Sequence, residues 1–362
     1  MEQISEPTDN LEIMNTVDTA ALLTQDAFQR PINDLRISVT DRCNFRCTYC
    51  MPKEVFGKNF AFMPHDELLN FDEITRIAQV FTKLGVQKIR LTGGEPLLRK
   101  QLEKLVEMLA QIRTPSGQPL ELAMTTNGSI LEQKARVLKE AGLHRVTVSL
   151  DTLHPERFQS ISDVAVPVEK VFKGIATAQS VGLDVKLNMV VKRGINDQDI
   201  VDMAAAFRHT GQTLRFIEFM DVGNTNGWKM DQVVRSQEVL ALIHERWPLE
   251  PVDRAKKGET AERWRYVDGG GEIGLISSVS QPFCRDCNRA RLSTEGKLYT
   301  CLFASRGHDL KSLIRGQSTN EEIERLLRQI WSSRTDRYSE LRSSGAALPM
   351  REQRIEMHYI GG

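Results

Sequence analysis

No run of about 18 apolar residues occurs in the sequence, so no membrane-spanning helix and no membrane partner are expected. Lysine and arginine are missing from residues 1–29, which instead carry six carboxylates. A secretory signal needs a basic start and an apolar stretch, and a transit peptide avoids acids. Residues 1–30 therefore read as a mobile tail, with a short helix over 20–28, and the protein is predicted to be cytoplasmic. Net charge is missing too: 48 basic and 48 acidic side chains leave a formal charge of zero. Non-specific nucleic-acid binders carry a basic excess, so no nucleic-acid partner is expected, and any anionic ligand must be held by a local cluster of cations. Cysteine is scarce and confined. The six residues form two groups about 230 positions apart: Cys43, Cys47 and Cys50, then Cys284, Cys287 and Cys301. A secreted disulfide framework spreads its cysteines through a small domain; this bunching points to metal ligation in a reducing compartment.

What is present is a repeated strand–helix unit. The stretches TKLGVQKIRLTGG (82–94), KEAGLHRVTVSLD (139–151) and QSVGLDVKLNMVV (179–191) each close a helical pattern, place a glycine, and continue as an alternating strand. Helices are predicted over 66–84, 101–112, 132–141, 168–181, 198–209 and 236–246, with further strands over 35–39, 121–128 and 214–220. About six βα units over 31–246 favour a parallel sheet with right-handed crossovers. Strands buried on both faces should be almost continuously apolar. Here Lys88, Arg90 and Thr92 share one face, as do Thr147, Ser149 and Asp151, and Lys186 and Asn188. An α/β fold with an incomplete (βα)6 barrel of the triosephosphate-isomerase type, its interior filled by a ligand, accounts for those polar faces. Its working residues are expected at the C-terminal strand ends. The barrel is assigned to residues 31–250. Residues 253–274 are charged, glycine-rich and weakly periodic, and residues 251–362 are assigned to a smaller cluster-binding and substrate-binding region.

The first cysteine group follows the first strand with Cys-x3-Cys-x2-Cys spacing. Structural zinc normally takes four protein ligands; three thiolates leave one coordination position open, as in an iron–sulfur cluster with one available iron. Together with Tyr49, the group matches the Cys-x3-Cys-x-aromatic-Cys motif and so resembles the radical S-adenosylmethionine superfamily. GGEP (93–96), after the next strand, resembles that superfamily's cofactor motif, with glycines that allow close backbone approach and a carboxylate able to accept from the cofactor's amino group.

The second group has Cys-x2-Cys-x13-Cys spacing. Spacing alone does not decide between half a zinc ribbon completed by His308 and a second three-cysteine iron–sulfur cluster. Arg285, Arg289 and Arg291 lie among these cysteines, and Arg36, Lys88, Arg90 and Lys186 fall on strands of the barrel. Buried cations without partners are costly, and guanidinium forks suit phosphate oxygens, so the set points to a bound polyanion.

RISVTDRCNFRCTYCMP, IRLTGGEPLLR, RFIEFMDVGNTNGW, SVSQPFCRDCNRARLSTEGKLYTCLF and the terminal IGG resemble the GTP 3′,8-cyclase family of molybdenum cofactor biosynthesis, from about residue 35 to the end. That resemblance implies a lyase with two [4Fe-4S] clusters, on Cys43/Cys47/Cys50 and Cys284/Cys287/Cys301. It implies that Tyr49, Gly94, Ser149 and Met220 line the S-adenosyl-L-methionine pocket. Arg36, Lys88, Arg90, Thr125, Lys186 and the segment Arg289, Ala290, Arg291 would hold GTP, with the guanine on the open iron of the second cluster. Gly361 and Gly362 would reach into the active site, where only glycine threads so closely. The implied reaction begins with abstraction of the ribose 3′ hydrogen by a 5′-deoxyadenosyl radical. Attack on C8 and reduction then give 3′,8-cyclo-7,8-dihydro-GTP. A reductant, a downstream cyclic pyranopterin monophosphate synthase and a homodimer are the implied partners. Two rival readings compete: a radical enzyme with an auxiliary cluster acting on a peptide, and a zinc or iron–sulfur protein that binds nucleic acid. Read without the family, Met220 would be a core residue.

Overall fold

The computed structural model describes residues 24–254, 258–345 and 354–361. The strands are β1 (Asp34–Ser38), β2 (Lys88–Thr92), β3 (Glu121–Thr126), β4 (Arg145–Ser149), β5 (Asp184–Val191), β6 (Thr213–Glu218), β7 (Leu249–Val252), β8 (Glu262–Tyr266), β9 (Glu272–Ile276), β10 (Arg289–Leu292), β11 (Lys297–Tyr299) and β12 (His308–Asp309). All twelve belong to one sheet in the order β12-β11-β10-β1-β2-β3-β4-β5-β6-β9-β8-β7. From β10 to β9 every pairing is parallel. The six expected strands are therefore present as β1–β6. The sheet has two free ends, and among the described residues no ladder closes it.

Helices α1 (Phe71–Lys83), α2 (Leu102–Ala110), α3 (Leu131–Glu140), α4 (Pro155–Ser162), α5 (Val168–Ser180), α6 (Ile200–Phe207) and α7 (Ser236–Arg246) connect the strands. They pack on the face that presents Leu35, Ile37, Ile89, Leu91, Val146 and Val148, each no more than 1% exposed. The expected starts were early where a cap decides. Asn70 and Glu73 form reciprocal capping bonds of 2.8 and 2.7 Å, which begin α1 at residue 71 and not at 66. The α3–α5 contact is close because of Gly174: a Cβ there would lie 2.8 Å from the Gly128 carbonyl oxygen and 3.0 Å from Leu131 Cβ. Overpacking of this kind costs roughly 1–3 kcal/mol, more than the ~1 kcal/mol that alanine adds to a helix. Gly174→Ala should therefore lower the melting temperature by a few degrees in a thermal unfolding scan.

Three expectations need correction. Residues 24–30, assigned to the tail, are packed: Gln25 bridges to Pro31 and forms no helix, and Asp26 and Arg30 are buried. Residues 253–274 hold β8 and the start of β9. β8 alternates Arg263 and Arg265 with Trp264 and Tyr266, and its charged face is paired, Arg263 with Glu272 and Arg265 with Glu250. Lastly, the C-terminal region is continuous with the barrel strands. β10 pairs β1 on one side and β9 pairs β6 on the other, so no sheet boundary falls at residue 250.

Candidate active site

A cavity of about 760 Å³ is lined by side chains from all eight parallel strands, so the open sheet curves around it. Both cysteine triads line it, from opposite ends. Cys43, Cys47 and Cys50 lie on the loop after β1. Cys284 and Cys287 precede β10, which runs parallel to β1, and Cys301 follows β11, which runs antiparallel to β10. At about 3.3 Å per residue, the five-residue β1 separates the two ends by roughly 13 Å. The lining residues thus occupy both strand ends and the span between, not the C-terminal ends alone.

The first loop is held against β2 by two glycines. A Cβ at Gly93 would meet the Thr40 carbonyl oxygen at 2.3 Å, and one at Gly94 the Arg42 carbonyl oxygen at 2.3 Å. Gly94 donates its N–H to Thr40 O at 2.8 Å and lines the cavity. Glu95 does not. It is fully buried and accepts from Thr126 Oγ1 (2.7 Å), Asn127 N (2.7 Å) and Leu97 N (3.1 Å). Its carboxylate braces the β3 loop, and Asn127 Nδ2 in turn reaches Cys43 Sγ at 3.8 Å. Burial pushes Glu95 up to about 7 and Cys43 up to about 12, and raises Cys47 and Cys50 as well. Thiols in this setting become thiolates on binding a metal. Tyr49, Ser149 and Met220 line the same end. Met220 faces the cavity and is not core, and the Tyr49 hydroxyl donates to Asp151 Oδ2 at 2.6 Å.

Around the second triad, Arg289 and Arg334 each place an Nη2 3.4 Å from Cys287 Sγ. Burial alone would raise this thiol, but the two guanidiniums outweigh it and hold it at about 6. In neither triad do the three Sγ atoms lie within 4.8 Å of one another. Zinc at ~2.3 Å from each sulfur would bring them to about 3.8 Å. His308 is exposed on β12 and does not line the cavity, so it completes no ribbon. Three thiol donors with no fourth protein ligand beside them among the described residues fit the ligand set of an iron–sulfur cluster.

Between the triads runs a row of like charges. Arg36 on β1 is in register with Arg90 on β2 and Arg291 on β10; beside them Asp34 pairs with Lys88 and Arg289. Like charges directly opposite are destabilising. Arg90 Nη1 donates to Thr125 Oγ1 and Thr147 Oγ1 at 3.2 Å, and Arg215 Nη2 to Thr147 Oγ1 at 3.2 Å. The Nε atoms of Arg36, Arg90, Arg215 and Arg289, and Asn188 Oδ1, are buried without a hydrogen-bond partner. Burial and then mutual repulsion lower Arg215 to about 9 and Arg291 to about 10, and depress Arg36 strongly. Lys88 falls to about 8 and pairs with Glu121 at 3.1 Å. Lys186 lines the cavity. The cavity wall is strongly cationic, its arginines and lysines outnumbering the carboxylates that line it.

Two of the expected residues point elsewhere. Ala290, between the two arginines of β10, faces the core, and the side chain of Arg285 is 89% exposed beside Glu340. Arg145, Arg215, Asn188 and Asp151 line the cavity but were not among the expected site residues. The signal was available: Arg145 is on the face of Thr147 and Ser149, and Arg215 alternates with Leu214 and Phe216. Gly361 accepts a hydrogen bond from Arg291 Nη1 through its carbonyl oxygen. Gly362 lies outside the described residues.

Comparison with known proteins agrees with this geometry. Residues 37–207 match the family model described as the radical SAM superfamily, and residues 212–340 the one described as Molybdenum Cofactor Synthesis C. The crystal structure of Streptococcus suis SuiB bound to S-adenosylmethionine has the same fold, with a TM-score of 0.58 over 84% of this chain and 69% of that one, at 12% identity. The fold and the first triad therefore define a radical S-adenosylmethionine enzyme, with an iron–sulfur cluster and S-adenosylmethionine as its cofactors. Sequence similarity is much higher elsewhere. The GTP 3′,8-cyclase of Acidothermus cellulolyticus is 51% identical over 93% of this chain and 99% of its own, and that of Staphylococcus epidermidis 46% identical over 93% and 98%. The chain belongs to the GTP 3′,8-cyclase family.

Proposed function

We propose that this chain cyclises GTP to 3′,8-cyclo-7,8-dihydro-GTP, the first step of molybdenum cofactor biosynthesis, using one [4Fe-4S] cluster on each cysteine triad. The observation that carries this reading is the row of buried arginines lying between the two triads, in which the Nε atoms of Arg36, Arg90 and Arg289 have no hydrogen-bond partner. When bound, the first cluster supplies the electron that splits S-adenosylmethionine into methionine and a 5′-deoxyadenosyl radical. Tyr49, Gly94, Ser149 and Met220 hold that cofactor at the C-terminal strand ends. Arg36, Arg90, Arg289 and Arg291, with Lys88, Lys186 and Thr125, bind the nucleotide across the strands, its base directed to the second triad. Fixed in this way, the ribose C3′ and purine C8 close their bond intramolecularly, where orientation contributes greatly. The cavity walls and the Gly361 tail exclude water from the radical. An external reductant feeds the cluster, and the product passes to a cyclic pyranopterin monophosphate synthase. A cytoplasmic location and a homodimer are part of the same reading. Among the described residues, no helix is long and apolar enough to cross a membrane.

The test is anaerobic turnover of the reconstituted, reduced protein with S-adenosylmethionine, with and without GTP. 5′-Deoxyadenosine, cyclised nucleotide and about eight irons per chain support the reading. Deoxyadenosine without cyclised GTP, at full iron content, overturns the substrate.

Lys88 gives this reading a pH signature. In the empty site it loses its proton near pH 8; a bound triphosphate favours the charged form, so binding takes up a proton above that pH. GTP affinity should fall by up to about tenfold per unit as pH rises above 8. Calorimetric titration of GTP into the Lys88→Met variant should show weaker binding without that slope.

A further inference from the structure

Residues 24–30 had no function in the sequence, yet they pack against the second triad. Asp26 Oδ2 accepts from Arg30 Nε at 2.6 Å and from Arg334 Nη1 at 3.1 Å, and the side chains of all three are no more than 2% exposed. Arg30 Nη1 donates to the Cys284 carbonyl oxygen at 2.7 Å and to Asp336 O at 2.9 Å. Arg334 makes four further contacts. Its Nη1 reaches Cys287 O at 2.8 Å and its Nη2 reaches Cys287 Sγ at 3.4 Å. Its Nε reaches Thr300 O at 3.1 Å, next to Cys301, and Asp336 Oδ2 at 3.3 Å. The guanidinium lies 4.6 Å over the Trp331 ring, whose Nε1 donates to Arg30 O at 3.0 Å. One carboxylate thus fixes two guanidiniums that between them touch the backbone at or beside all three cysteines, and one sulfur directly.

We propose that Asp26, Arg30 and Arg334 form a clamp on the second triad, and that Arg334, through its N–H to Cys287 Sγ, raises the reduction potential of the cluster held there. The proposal rests on the reading that this triad binds an iron–sulfur cluster. Its physical basis is general: a reduced cluster carries one more negative charge than an oxidised one, and a fixed cationic donor on a ligating sulfur favours the more negative state. Arg334 is a positioning residue; it does not line the cavity. Arg289 donates to the same sulfur from the cavity side, so loss of Arg334 removes one of two such donors and leaves the sulfur ligated.

The experiment uses the full chain, reconstituted anaerobically, in a Cys43/Cys47/Cys50→Ala background that leaves only the second cluster. Iron is counted and the midpoint is read by electron paramagnetic resonance during a reductive titration. Arg334→Gln should keep about four irons and make reduction about tenfold less favourable, a shift of about −59 mV for one electron. Arg334→Lys keeps the charge but not the fork, and should shift less in the same direction. If Arg334→Gln does not retain iron, Arg334→Lys alone decides: a lower midpoint supports the proposal and an unchanged one overturns it. Unchanged midpoints in both variants at full iron content overturn the clamp's redox role and leave the two-cluster reading standing. Absence of iron in the background variant itself overturns that reading, and the proposal with it.

Discussion

Replacing Arg291 with methionine should lower kcat/KM for GTP roughly 100- to 1000-fold while leaving the empty protein as stable as before, or more so. The first half follows from position. Arg291 is 2% exposed, sits in register with Arg36, and shares its face with Arg289. Removing one member of a buried charge contact costs about 2–5 kcal/mol of binding. The second half follows from the crowding in the empty site. Burial and the neighbouring Arg289 already depress the Arg291 charge, and methionine keeps the aliphatic stem while removing the repulsion. Among the described residues, the hydrogen bond lost in the empty protein is the donor to Gly361 O. A residue that weakens the empty protein but is needed by the loaded one has the opposite sign from a core residue, for which both properties fall together. Thermal unfolding without ligand, set beside steady-state cyclisation, reads the two signs. Arg291→Lys should lose about tenfold, since it restores charge without the planar fork. 5′-Deoxyadenosine should still form in both variants, uncoupled from cyclisation. Normal GTP turnover in Arg291→Met would remove the arginine row from the substrate site.

The parts of this arrangement that were legible in the sequence are those set by local periodicity. Glycine followed by an alternating strand marked β2, β4 and β5, and the polar faces of Lys88–Arg90 and Thr147–Ser149 implied a polar interior, where Lys88, Arg90 and Ser149 line the cavity. Pairing between distant segments was not legible. β10 is four residues long, and Arg-Ala-Arg-Leu alternates as a strand should, but nothing local says that it lies beside β1 with Arg291 against Arg36. Without that register, the two triads could not be placed at opposite strand ends, and the C-terminal region looked separate. β8 was hidden because only Trp264 and Tyr266 mark its apolar face, while its arginines pair with carboxylates of the strands on either side. Asp26 and Arg334 are more than 300 positions apart, and each looks like a surface charge until the fold buries them together. Glu95 is the reverse case. Its motif was read as a ligand to the cofactor, whereas three donors of its own chain occupy it.

Gly361→Ala should abolish cyclisation to a degree comparable with Arg291→Met, although it deletes nothing. Gly361 has φ +71°, and a Cβ there would lie 2.0 Å from Thr92 Cγ2 and 2.8 Å from Thr92 Oγ1. Thr92 ends β2 and is itself buried, so it has little room to move. The left-handed backbone adds ~1–2 kcal/mol for any residue with a Cβ, and a contact this short makes the seated tail untenable. The tail's other anchors persist: Glu356 accepts from Asn224 N at 2.9 Å and Thr225 Oγ1 at 3.0 Å, and Arg354 pairs with Asp221 at 3.0 Å. Only the last residues should therefore be displaced, leaving Arg291 without its acceptor and Ile360 unseated. Iron content and S-adenosylmethionine binding should be unchanged, since Gly361 touches neither triad. The rescue is specific. Thr92→Ser deletes the methyl at 2.0 Å, and in the Gly361→Ala background it should recover part of the lost turnover, while Thr92→Val should recover none because it retains both branches. Wild-type cyclisation by Gly361→Ala would mean that the tail does not act in the site. Loss of turnover without any rescue by Thr92→Ser would place the cost in the backbone at Gly361 and not in its contact with β2.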